Sequence, residues 1–343
     1  MKVAIITDTH YNFKKGSQIF HDYFEKFYDQ IFFPTLKKLK INTVIHLGDI
    51  FDNRRTTDYW SIEWTRRVVF EPLKKYNLHM ILGNHDIFYK NTTKLNSPEL
   101  LIGDYKNINL YTKPTNVQVG EQEVLFIPWI TPEGESETLA AIQNTSAKVA
   151  MGHLELAGFY AHRGHLQDEG KDKSIFNKFN QVFSGHYHTR SDDGKIYYLG
   201  NPYQLYWNDY GDSRGFTIWD TETGDIQQIN NPFEMFKICN YDEESPEKNL
   251  KQYTGCIVKL VVKNKTEQKK FDKFLDSLIK TQPYDLKIIE NVNITQNFEY
   301  DELMEQEDTL SLLKRYVDES EIQLNKTRIK DLIQSIYQES FQM

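Results

Sequence analysis

The sequence predicts an α/β fold in four layers, an αββα sandwich in which two β-sheets pack face to face between outer helices. Near the start of the chain, three short apolar runs (1–8, 43–47 and 78–82) alternate with helix-like segments at 17–40 and 57–76. Alternation of this kind is typical of a layered α/β sheet. The later part of the chain is dominated by short strands, which predicts a second, more antiparallel sheet packed on the first.

The two helix-like segments are recognised by the spacing of their apolar residues. Between Ile19 and Ile31 these residues recur three or four positions apart, as they do on the buried face of an amphipathic helix. We interpret segment 57–76 in the same way. The three apolar runs are short and nearly continuous, which indicates strands that are covered on both faces and pair in parallel.

The later strands are separated by turn signals. A turn at 222–225 predicts a hairpin that joins strands at 215–219 and 226–229. We expect this hairpin to belong to the second sheet, together with strands that end at the histidine motifs described below.

A change in composition near 231–250 predicts more than one domain, as expected for 343 residues. We assign 1–235 to the layered domain and 250–296 to a small α+β unit of βαβ type. Segment 297–308 holds six acidic side chains and no Lys or Arg, which predicts a solvated linker. The last segment, 309–343, has the apolar spacing of an amphipathic helix.

The bulk composition excludes several classes of protein. Two cysteines, Cys239 and Cys256, do not make a disulfide scaffold and fit a reducing compartment, so we expect a cytoplasmic location. No apolar run approaches the ~18 residues of a membrane span, and we expect no membrane association. The net charge of −8 by itself argues against nucleic-acid binding, although bound divalent cations would be a local positive charge.

Five short motifs occur in a fixed order, most of them directly after a strand-like run. They are Asp8-Thr9-His10, Gly48-Asp49-Ile50-Phe51-Asp52, Gly83-Asn84-His85-Asp86, Gly152-His153 and Gly185-His186-Tyr187-His188. Because sites in α/β sheets gather at the carboxyl ends of the strands, we expect these side chains to converge. Carboxylates, imidazoles and an amide suit a pair of divalent transition metals, so the motifs predict metal-assisted hydrolysis of a phosphoester.

Seven side chains are the predicted ligands of two divalent metal ions. They are Asp8, His10, Asp49, Asn84, His153, His186 and His188. Asp49 can bridge the two ions through its two oxygens, and the two paired histidines, two positions apart in an extended stretch, point the same way. The mixture of nitrogen and oxygen ligands suits Mn²⁺, Fe²⁺ or Zn²⁺ better than Mg²⁺.

Three neighbouring residues are the candidates for roles beside the metals. We expect His85 to face the substrate and to protonate or stabilise the leaving oxygen. Asp86 is expected to orient a neighbouring group. Asp52 either orients His85, lines the entrance to the site, or is an ordinary turn carboxylate. The sequence contains no G-x-x-x-x-G-K-[ST] motif, so we expect no ATPase activity in this chain.

Together these motifs resemble the calcineurin-type metallophosphoesterases over roughly residues 1–220: D-x-H, G-D-x-x-D, G-N-H-D, G-H and G-H-x-H. Several stretches are also similar to the SbcD-type nuclease subunits of double-strand-break repair, including those of T-even-like bacteriophages: GDIFD, GHLELAGFY, GHYHT, YLGNPYQL and RGFTIWD. The resemblance implies the same seven metal ligands, a catalytic His85, and a Mn²⁺-dependent DNA nuclease with 3′→5′ exonuclease and single-strand endonuclease activity.

The resemblance also implies partners. A homodimer is expected, and an SMC-like ABC ATPase with long coiled coils. The unit 250–296 would then cap the DNA, and the terminal segment 309–343 would dock on the ATPase. For a phage protein the compartment would be the cytoplasm of the bacterial host.

Three surfaces follow from these expectations. The basic residues expected to contact DNA phosphates are Arg54, Arg55, Lys90, Lys94, Arg163 and Arg190. The apolar residues expected at the dimer interface are Tyr59, Trp60, Trp64 and Val68. Those expected to dock on the ATPase are Ile329, Leu332, Ile333, Ile336 and Tyr337.

Other functions stay open at this point. A phosphatase, or a phosphodiesterase for cyclic or other small nucleotides, could use the same metal site. A scaffold without activity is disfavoured because none of the expected ligands is missing from the motifs.

Overall fold

A computed structural model of the chain describes residues 1–290 together with residues 317, 326, 328 and 329. Two six-stranded sheets pack face to face, and helices cover the outer face of each. The predicted four-layer αββα sandwich is therefore confirmed. The predicted linker 297–308 and most of segment 309–343 lie outside the described residues, including Leu332, Ile333, Ile336 and Tyr337. Ile329 is described as helical and half-buried.

The first sheet contains the three apolar runs recognised in the sequence. Its strands are β1 (Lys2–Ile6), β2 (Thr43–His46), β3 (Asn77–Ile81), β4 (Ile108–Tyr111), β13 (Gly215–Asp220) and β14 (Ile226–Asn230). Their order is β14-β13-β1-β2-β3-β4. Strands β1 to β4 are parallel, whereas β13 and β14 add antiparallel strands at one edge.

Helices cover the outer face of the first sheet. They are α1 (Phe13–Gly16), α2 (Gln18–Phe27), α3 (Phe33–Leu39), α4 (Tyr59–Thr65), α5 (Glu71–Leu73) and α6 (Ser97–Ile102), with π-helical turns at Tyr28–Phe32 and Arg66–Phe70. Phe20, Phe24 and Phe27 are buried at three- and four-residue spacing, as the sequence predicts. Asp58 begins α4 by accepting a hydrogen bond from the backbone N–H of Ser61 at 2.8 Å.

The second sheet is covered by α7 (Glu135–Asn144) and a 3₁₀ turn at Lys173–Phe176. Its strands are β5 (Thr115–Val119), β6 (Gln122–Ile127), β7 (Val149–His153), β10 (Gln181–Gly185), β11 (Ser191–Asp192) and β12 (Ile196–Tyr198), in the order β11-β12-β10-β7-β6-β5. A separate hairpin, formed by β8 (Phe159–His162) and β9 (His165–Gln167), lies between β7 and β10 in the sequence.

Two details of the predicted sheets are wrong. Within each described six-stranded sheet, three neighbouring pairs are parallel and two are antiparallel, so the second sheet is not the more antiparallel one. The hairpin β13–β14 pairs with β1 and belongs to the first sheet. Local patterning identifies a strand but does not determine its partner, because pairing is a long-range contact.

The core between the sheets consists of aliphatic and aromatic side chains from both inner faces. Val3, Ile5 and Ile45 of the first sheet pack against Phe126 and Met151 of the second. All five are fully buried. Burial on both faces explains why the sequence of these strands is almost continuously apolar.

A small three-stranded sheet follows the sandwich. Its parallel strands are β15 (Phe236–Asp242), β16 (Ile257–Asn264) and β17 (Asp285–Ile289), with α8 (Gln268–Ile279) between the last two and a 3₁₀ turn at Leu250–Tyr253. The predicted small unit begins at residue 250 and therefore omits β15. Gln204 of the sandwich accepts hydrogen bonds from the backbone N–H groups of Met235 and Phe236 at 2.9 and 3.0 Å.

Two remaining expectations concern membranes and cysteines. Among the described residues, no helix combines the length and the apolar character that crossing a bilayer requires. Cys239 and Cys256 are buried free thiols.

Candidate metal centre

The five motifs lie at one edge of the sandwich, at the carboxyl ends of parallel strands. Asp8, Asp49 and Asn84 follow β1, β2 and β3 of the first sheet. His153 ends β7 of the second sheet, and His186 follows β10. The geometry that the strand pattern predicted therefore brings side chains from both sheets to one place.

The backbone turns sharply where it leaves the strands. Asp8, His10, Asp49 and His186 have positive φ angles of 53°, 45°, 55° and 88°, a conformation that side-chain-bearing residues adopt rarely. Gly83 permits a close approach of two loops, because a Cβ atom there would collide with the carboxylate of Asp49. Strained backbone of this kind is concentrated at functional sites.

One group of candidate ligands consists of Asp8, His10 and His188. The Nε2 atoms of the two histidines lie 3.2 Å apart, and Nε2 of His188 lies 4.0 Å from a carboxylate oxygen of Asp8. Asp8 is itself held by the hydroxyl of Thr7 at 2.7 Å and by the backbone N–H of His186 at 3.1 Å.

The second group consists of Asp49, His153, His186 and Asn84. Nε2 of His153 lies 3.4 Å from Asp49 Oδ2 and 3.0 Å from Asn84 Oδ1. Nδ1 of His186 lies 2.9 Å from the same Asn84 oxygen. Asp49 Oδ2 is also 4.0 Å from Nε2 of His10, so this carboxylate stands between the two groups, where a bridging ligand would stand.

The donor atoms of these groups fit divalent metal ions. Among the described residues, ring nitrogens and carboxylate oxygens lie within 4.8 Å of one another in three groups, the third of which joins His10 to Asp52 and His85. Asp8, His10, Asp49 and His153 are almost entirely buried. Buried imidazoles and carboxylates at this density favour a cation shared among them. When bound, such ions would polarise a phosphate and lower the pKa of a water molecule.

The electrostatics of the cluster are those of a site that attracts cations. Burial lowers the pKa of His10, but Asp52, Asp49 and Asp8 outweigh it and raise the value to about 9. Burial likewise opposes the charge on His153, whose pKa Asp49 and Asp8 raise to about 9. The pKa of Asp49 lies well below its ordinary value, because neighbouring imidazoles outweigh its burial. Burial raises the pKa of Asp8.

Neighbouring groups fix the orientation of the ligands. Nδ1 of His153 donates to the backbone carbonyl of Leu47 at 2.7 Å, which leaves Nε2 free to face Asp49. Asp86 accepts hydrogen bonds from the backbone N–H groups of Asp49, Ile50 and Gly83 at 2.8, 2.9 and 2.8 Å. Asp86 thus ties together two of the ligand-bearing loops, as expected of a residue that orients its neighbours.

His85 lies beside the cluster and is oriented by Asp52. Its ring centre is 5.0 Å from that of His10, and its Nδ1 donates to the backbone carbonyl of Asp52. The carboxylate of Asp52 points elsewhere, with Oδ1 3.3 Å from Nδ1 of His10. Asp52 therefore contacts His85 through its main chain and a candidate ligand through its side chain.

A cavity of about 580 Å³ opens next to His85. Its wall is formed by Asp52, Asn53, Arg54, Arg55, His85, Phe88, Tyr89, Lys90 and Tyr206. Its volume lies in the range of small-molecule binding sites. Three of the six basic residues expected at the substrate surface, Arg54, Arg55 and Lys90, are thus found together beside the candidate catalytic histidine.

The other three basic residues lie elsewhere. Lys94 forms an ion pair with Glu133. Arg163, in the β8–β9 hairpin, donates to the carbonyl of Tyr210 at 3.4 Å. Arg190 donates from Nε to Leu199 O at 3.2 Å and from Nη1 to Asn230 Oδ1 at 2.6 Å, and its Nη2 is buried without a partner among the described residues.

The four residues expected at a dimer interface separate into two pairs. Tyr59 and Trp60 are 92% and 42% exposed, whereas Trp64 is fully buried and Val68 is 6% exposed. The expectation for Trp64 and Val68 is corrected by this burial, because side chains within the helical layer cannot contact a second copy. Along α4 and the π-helical turn that follows it, surface and core residues recur with the helical period. The sequence does not show which face packs against the sheet, because this depends on the rotation of the helix about its axis.

Sequence reasoning missed several residues around the cluster. The ring of Trp129 lies 5.0 Å from that of His186 and 5.9 Å from that of His153. Arg214, 3% exposed, donates to the backbone carbonyl of His188, and Asp209 accepts from Arg214 at 2.8 Å. Trp129 follows a strand and Arg214 precedes a glycine, and neither setting in the sequence indicates a residue near the metal ligands.

Imidazoles, carboxylates and an amide cluster at one edge of the αββα sandwich, where its two sheets meet. This is the arrangement of a metal-dependent phosphoester hydrolase. The chain belongs to the calcineurin-like phosphoesterases, whose family model matches residues 1–190. The resemblance inferred from the motifs is thereby confirmed, as is the expectation that the chain is an enzyme acting on phosphoesters.

Two further similarities concern individual proteins. The chain is 31% identical over 288 residues to exonuclease subunit 1 of Enterobacteria phage T4, an alignment that covers 82% of each chain. Among solved structures it is similar to an archaeal phosphodiesterase, with 14% identity and a TM-score of 0.35 over 67% of this chain and all of that one.

Proposed function

We propose that this chain is a DNA nuclease that hydrolyses phosphodiester bonds with two divalent metal ions, most favourably Mn²⁺. The observation that carries the proposal is the cavity in which His85 shares a wall with Arg54, Arg55 and Lys90. Three cations beside a candidate metal cluster suit a polyanionic substrate, whose phosphates they would position. The similarity to a phage exonuclease subunit supports a nuclease over other phosphoesterases.

Seven residues would hold the metal ions in this proposal. They are Asp8, His10, Asp49, Asn84, His153, His186 and His188. In its imidazolium form, with a proton on each ring nitrogen, His85 would donate the Nε2 proton to the leaving oxygen and become neutral, while Nδ1–H stays on the carbonyl of Asp52. Asp86 would act by holding the loops of Asp49 and Gly83.

The assembly around this active site is also part of the proposal. The sandwich 1–235 would be the nuclease domain, the unit 250–296 would cover the DNA, and segment 309–343 would dock on an SMC-like ABC ATPase. A homodimer would present two active sites. The phage relative is named as a subunit, and this sequence has no phosphate-binding loop of the G-x-x-x-x-G-K-[ST] type. Both observations support an assembly in which another chain hydrolyses ATP. The assembly would act in the cytoplasm of a bacterial host.

The activity is tested by digestion of end-labelled linear DNA with the purified chain, with and without the ATPase. We expect Mn²⁺-dependent release of nucleotides from duplex ends in the 3′→5′ direction, and cleavage of single strands. Labels at the 5′ and 3′ ends distinguish the direction of digestion, and chelation of metal should abolish both activities. Turnover of small phosphodiesters alone would instead identify a nucleotide phosphodiesterase or phosphatase.

The role of the basic wall is tested by two matched substitutions. Arg54→Ala should raise KM for DNA and reduce its dependence on salt, because one phosphate contact is lost. Lys106→Ala removes an exposed basic side chain outside the cavity and serves as the control. Equal effects of the two substitutions would count against a specific contact at the cavity.

A further inference from the structure

The cavity beside His85 has an aromatic wall as well as a basic one. Phe88, Tyr89 and Tyr206 all line it and are 37%, 54% and 46% exposed. Single exposed aromatic residues are ordinary, but three in one cavity beside a candidate catalytic residue indicate a binding surface.

The aromatic side chains are held in place before any ligand arrives. The ring of Tyr206 packs against that of Phe13 with centres 5.0 Å apart, and its backbone N–H donates to Asp209 at 3.0 Å. The rings of Phe88 and Tyr89 lie 4.8 Å apart at an angle of 76°. Because one ring stands nearly perpendicular to the other, they present faces in different directions, as an aromatic pair favours.

The basic wall contains an unsatisfied donor. Arg54 lines the cavity, but its Nη1 atom is shielded from solvent and has no hydrogen-bond partner among the described residues, so this donor must turn into the cavity to reach a ligand. A guanidinium with a free donor is well suited to a phosphate oxygen, which accepts charge-assisted hydrogen bonds from it. The cavity thus combines a contact for phosphate with surfaces for a planar ring, the two parts of a nucleotide.

We infer that the cavity lined by Arg54, Phe88, Tyr89 and Tyr206 binds one unpaired nucleotide next to the phosphodiester that is cleaved. This inference rests on the proposed nuclease function and specifies its substrate class: single-stranded DNA, or duplex ends whose last pair is opened. A base inside a duplex is stacked on both faces, so only an unpaired base can offer a face to these rings.

The test combines the rings with the base that they would contact. Cleavage is measured on single-stranded oligonucleotides that carry one abasic site, scanned through the positions that flank the cleaved bond. Phe88→Ala and Tyr89→Ala remove the rings, whereas Phe88→Tyr and Tyr89→Phe retain them and serve as matched controls. On intact DNA we expect the alanine variants to lose about five- to hundredfold in kcat/KM, the range measured for stacking on one base, and the controls to stay within about twofold.

The decisive result is the coupling between substitution and abasic site. If ring and base are in contact, one abasic position should weaken cleavage by the wild type, and the alanine variants should lose little more on that substrate. The inference would be overturned if, at every scanned position, the loss of cleavage from the abasic site and the loss from the alanine substitution simply added. The ratio of cleavage rates on frayed and fully paired duplex ends is a second readout. If this ratio is the same for the wild type and the alanine variants, the rings do not contact the unpaired base, and the inference is overturned.

The outcomes separate this inference from the function on which it rests. A wild-type chain that cleaves no DNA would refute the nuclease function itself. A wild-type chain that cleaves DNA while ring and base act independently would leave the nuclease function standing and refute only the nucleotide site. Thermal melts of each variant guard against misfolding, which the exposure of these rings makes a small risk.

Discussion

Nδ1 of His85 donates a hydrogen bond to the backbone carbonyl of Asp52. A carbonyl can only accept, so Nδ1 carries a proton, and Nε2 is the ring nitrogen that Asp52 does not engage. Donation to the leaving group from Nε2 requires the imidazolium form, in which both ring nitrogens carry a proton, and it leaves the neutral ring protonated on Nδ1. The His85→Ala variant should therefore lose about 10²- to 10⁴-fold in kcat while metal content is unchanged.

Activity and metal content decide this prediction when measured on the same sample. Metal is counted by inductively coupled plasma spectrometry, and cleavage is followed on labelled DNA. Full nuclease activity in a metal-loaded His85→Ala protein would remove this residue from the catalytic role.

Substitution of Asp52 should act on metal binding and not on the orientation of His85. Its carboxylate lies 3.3 Å from Nδ1 of His10, whereas its contact with His85 comes from the main chain. Because removing such a supporting carboxylate typically costs 10- to 100-fold in metal affinity or activity, Asp52→Asn should weaken binding of Mn²⁺ by about that factor. Calorimetric titration measures this, and a loss of kcat at saturating metal with unchanged affinity would contradict it.

Metal affinity should increase with pH. In the metal-free protein the pKa values of His10 and His153 are raised from 6.5 to about 9. A raised pKa contributes stability that is fully present below pH 6.5 and is lost as the pH rises through about 9. Since ligands must be deprotonated, Mn²⁺ competes with these protons, and binding near pH 7.5 should release about two of them per chain.

Proton release is measured by calorimetry in two buffers of different ionisation enthalpy. Between pH 7 and 9, the melting temperature of the metal-free protein should fall. Over the same range, the rise in melting temperature on addition of Mn²⁺ should become larger. A binding constant that stays level over this range would exclude both imidazoles as ligands.

The dimer is tested at the exposed part of α4. Tyr59 is 92% exposed, so Tyr59→Glu should leave the fold intact and shift the chain from dimer to monomer in multi-angle light scattering. Leu139→Glu on α7, at 39% exposure, is the matched control. A dimer that withstands Tyr59→Glu at all concentrations would place the interface elsewhere.

Substitution of Trp64 would not test the dimer. The ring is fully buried and donates to Glu25 at 3.0 Å. Trp64→Ala should reduce the free energy of unfolding by about 3–5 kcal/mol, which chemical denaturation measures. A change in oligomeric state of this variant would follow from unfolding.

The terminal segment should matter for the ATPase and not for cleavage. Deletion of 309–343 is expected to leave nuclease activity within about twofold and to weaken ATPase binding strongly, because the apolar residues proposed to dock would be lost. Ile333→Glu in the full chain tests the same surface without truncation. Unchanged affinity of both variants for the ATPase, measured by surface plasmon resonance, would refute the docking role.

The sequence predicts the parts of the site that follow from strand order. Asp8, Asp49 and Asn84 each stand directly after an apolar run, and parallel strands of this kind end at one edge. What could not be predicted depends on contacts distant in sequence. The pairing of β13 with β1 and the inward direction of Trp64 are decided by packing.

Main-chain contacts are a second limit of prediction. Asp52 holds His85 through a carbonyl that every residue type carries, so the side chain at this position does not reveal the contact. The guanidinium of Arg214 similarly reaches the carbonyl of His188 across 26 residues. Neither relationship leaves a signature in residue type or spacing.

The division of the candidate ligands between the two sheets has a consequence for the lifetime of the protein. Asp8, Asp49 and Asn84 belong to one sheet, and His153 and His186 to the other. Metal ions held by both would add a cross-link between the halves of the sandwich, beside the hydrogen bonds from His153 to Leu47 and from His186 to Asp8. Since binding free energy adds to folding free energy, loss of the bound cations would weaken this edge and make it easier for proteases to attack.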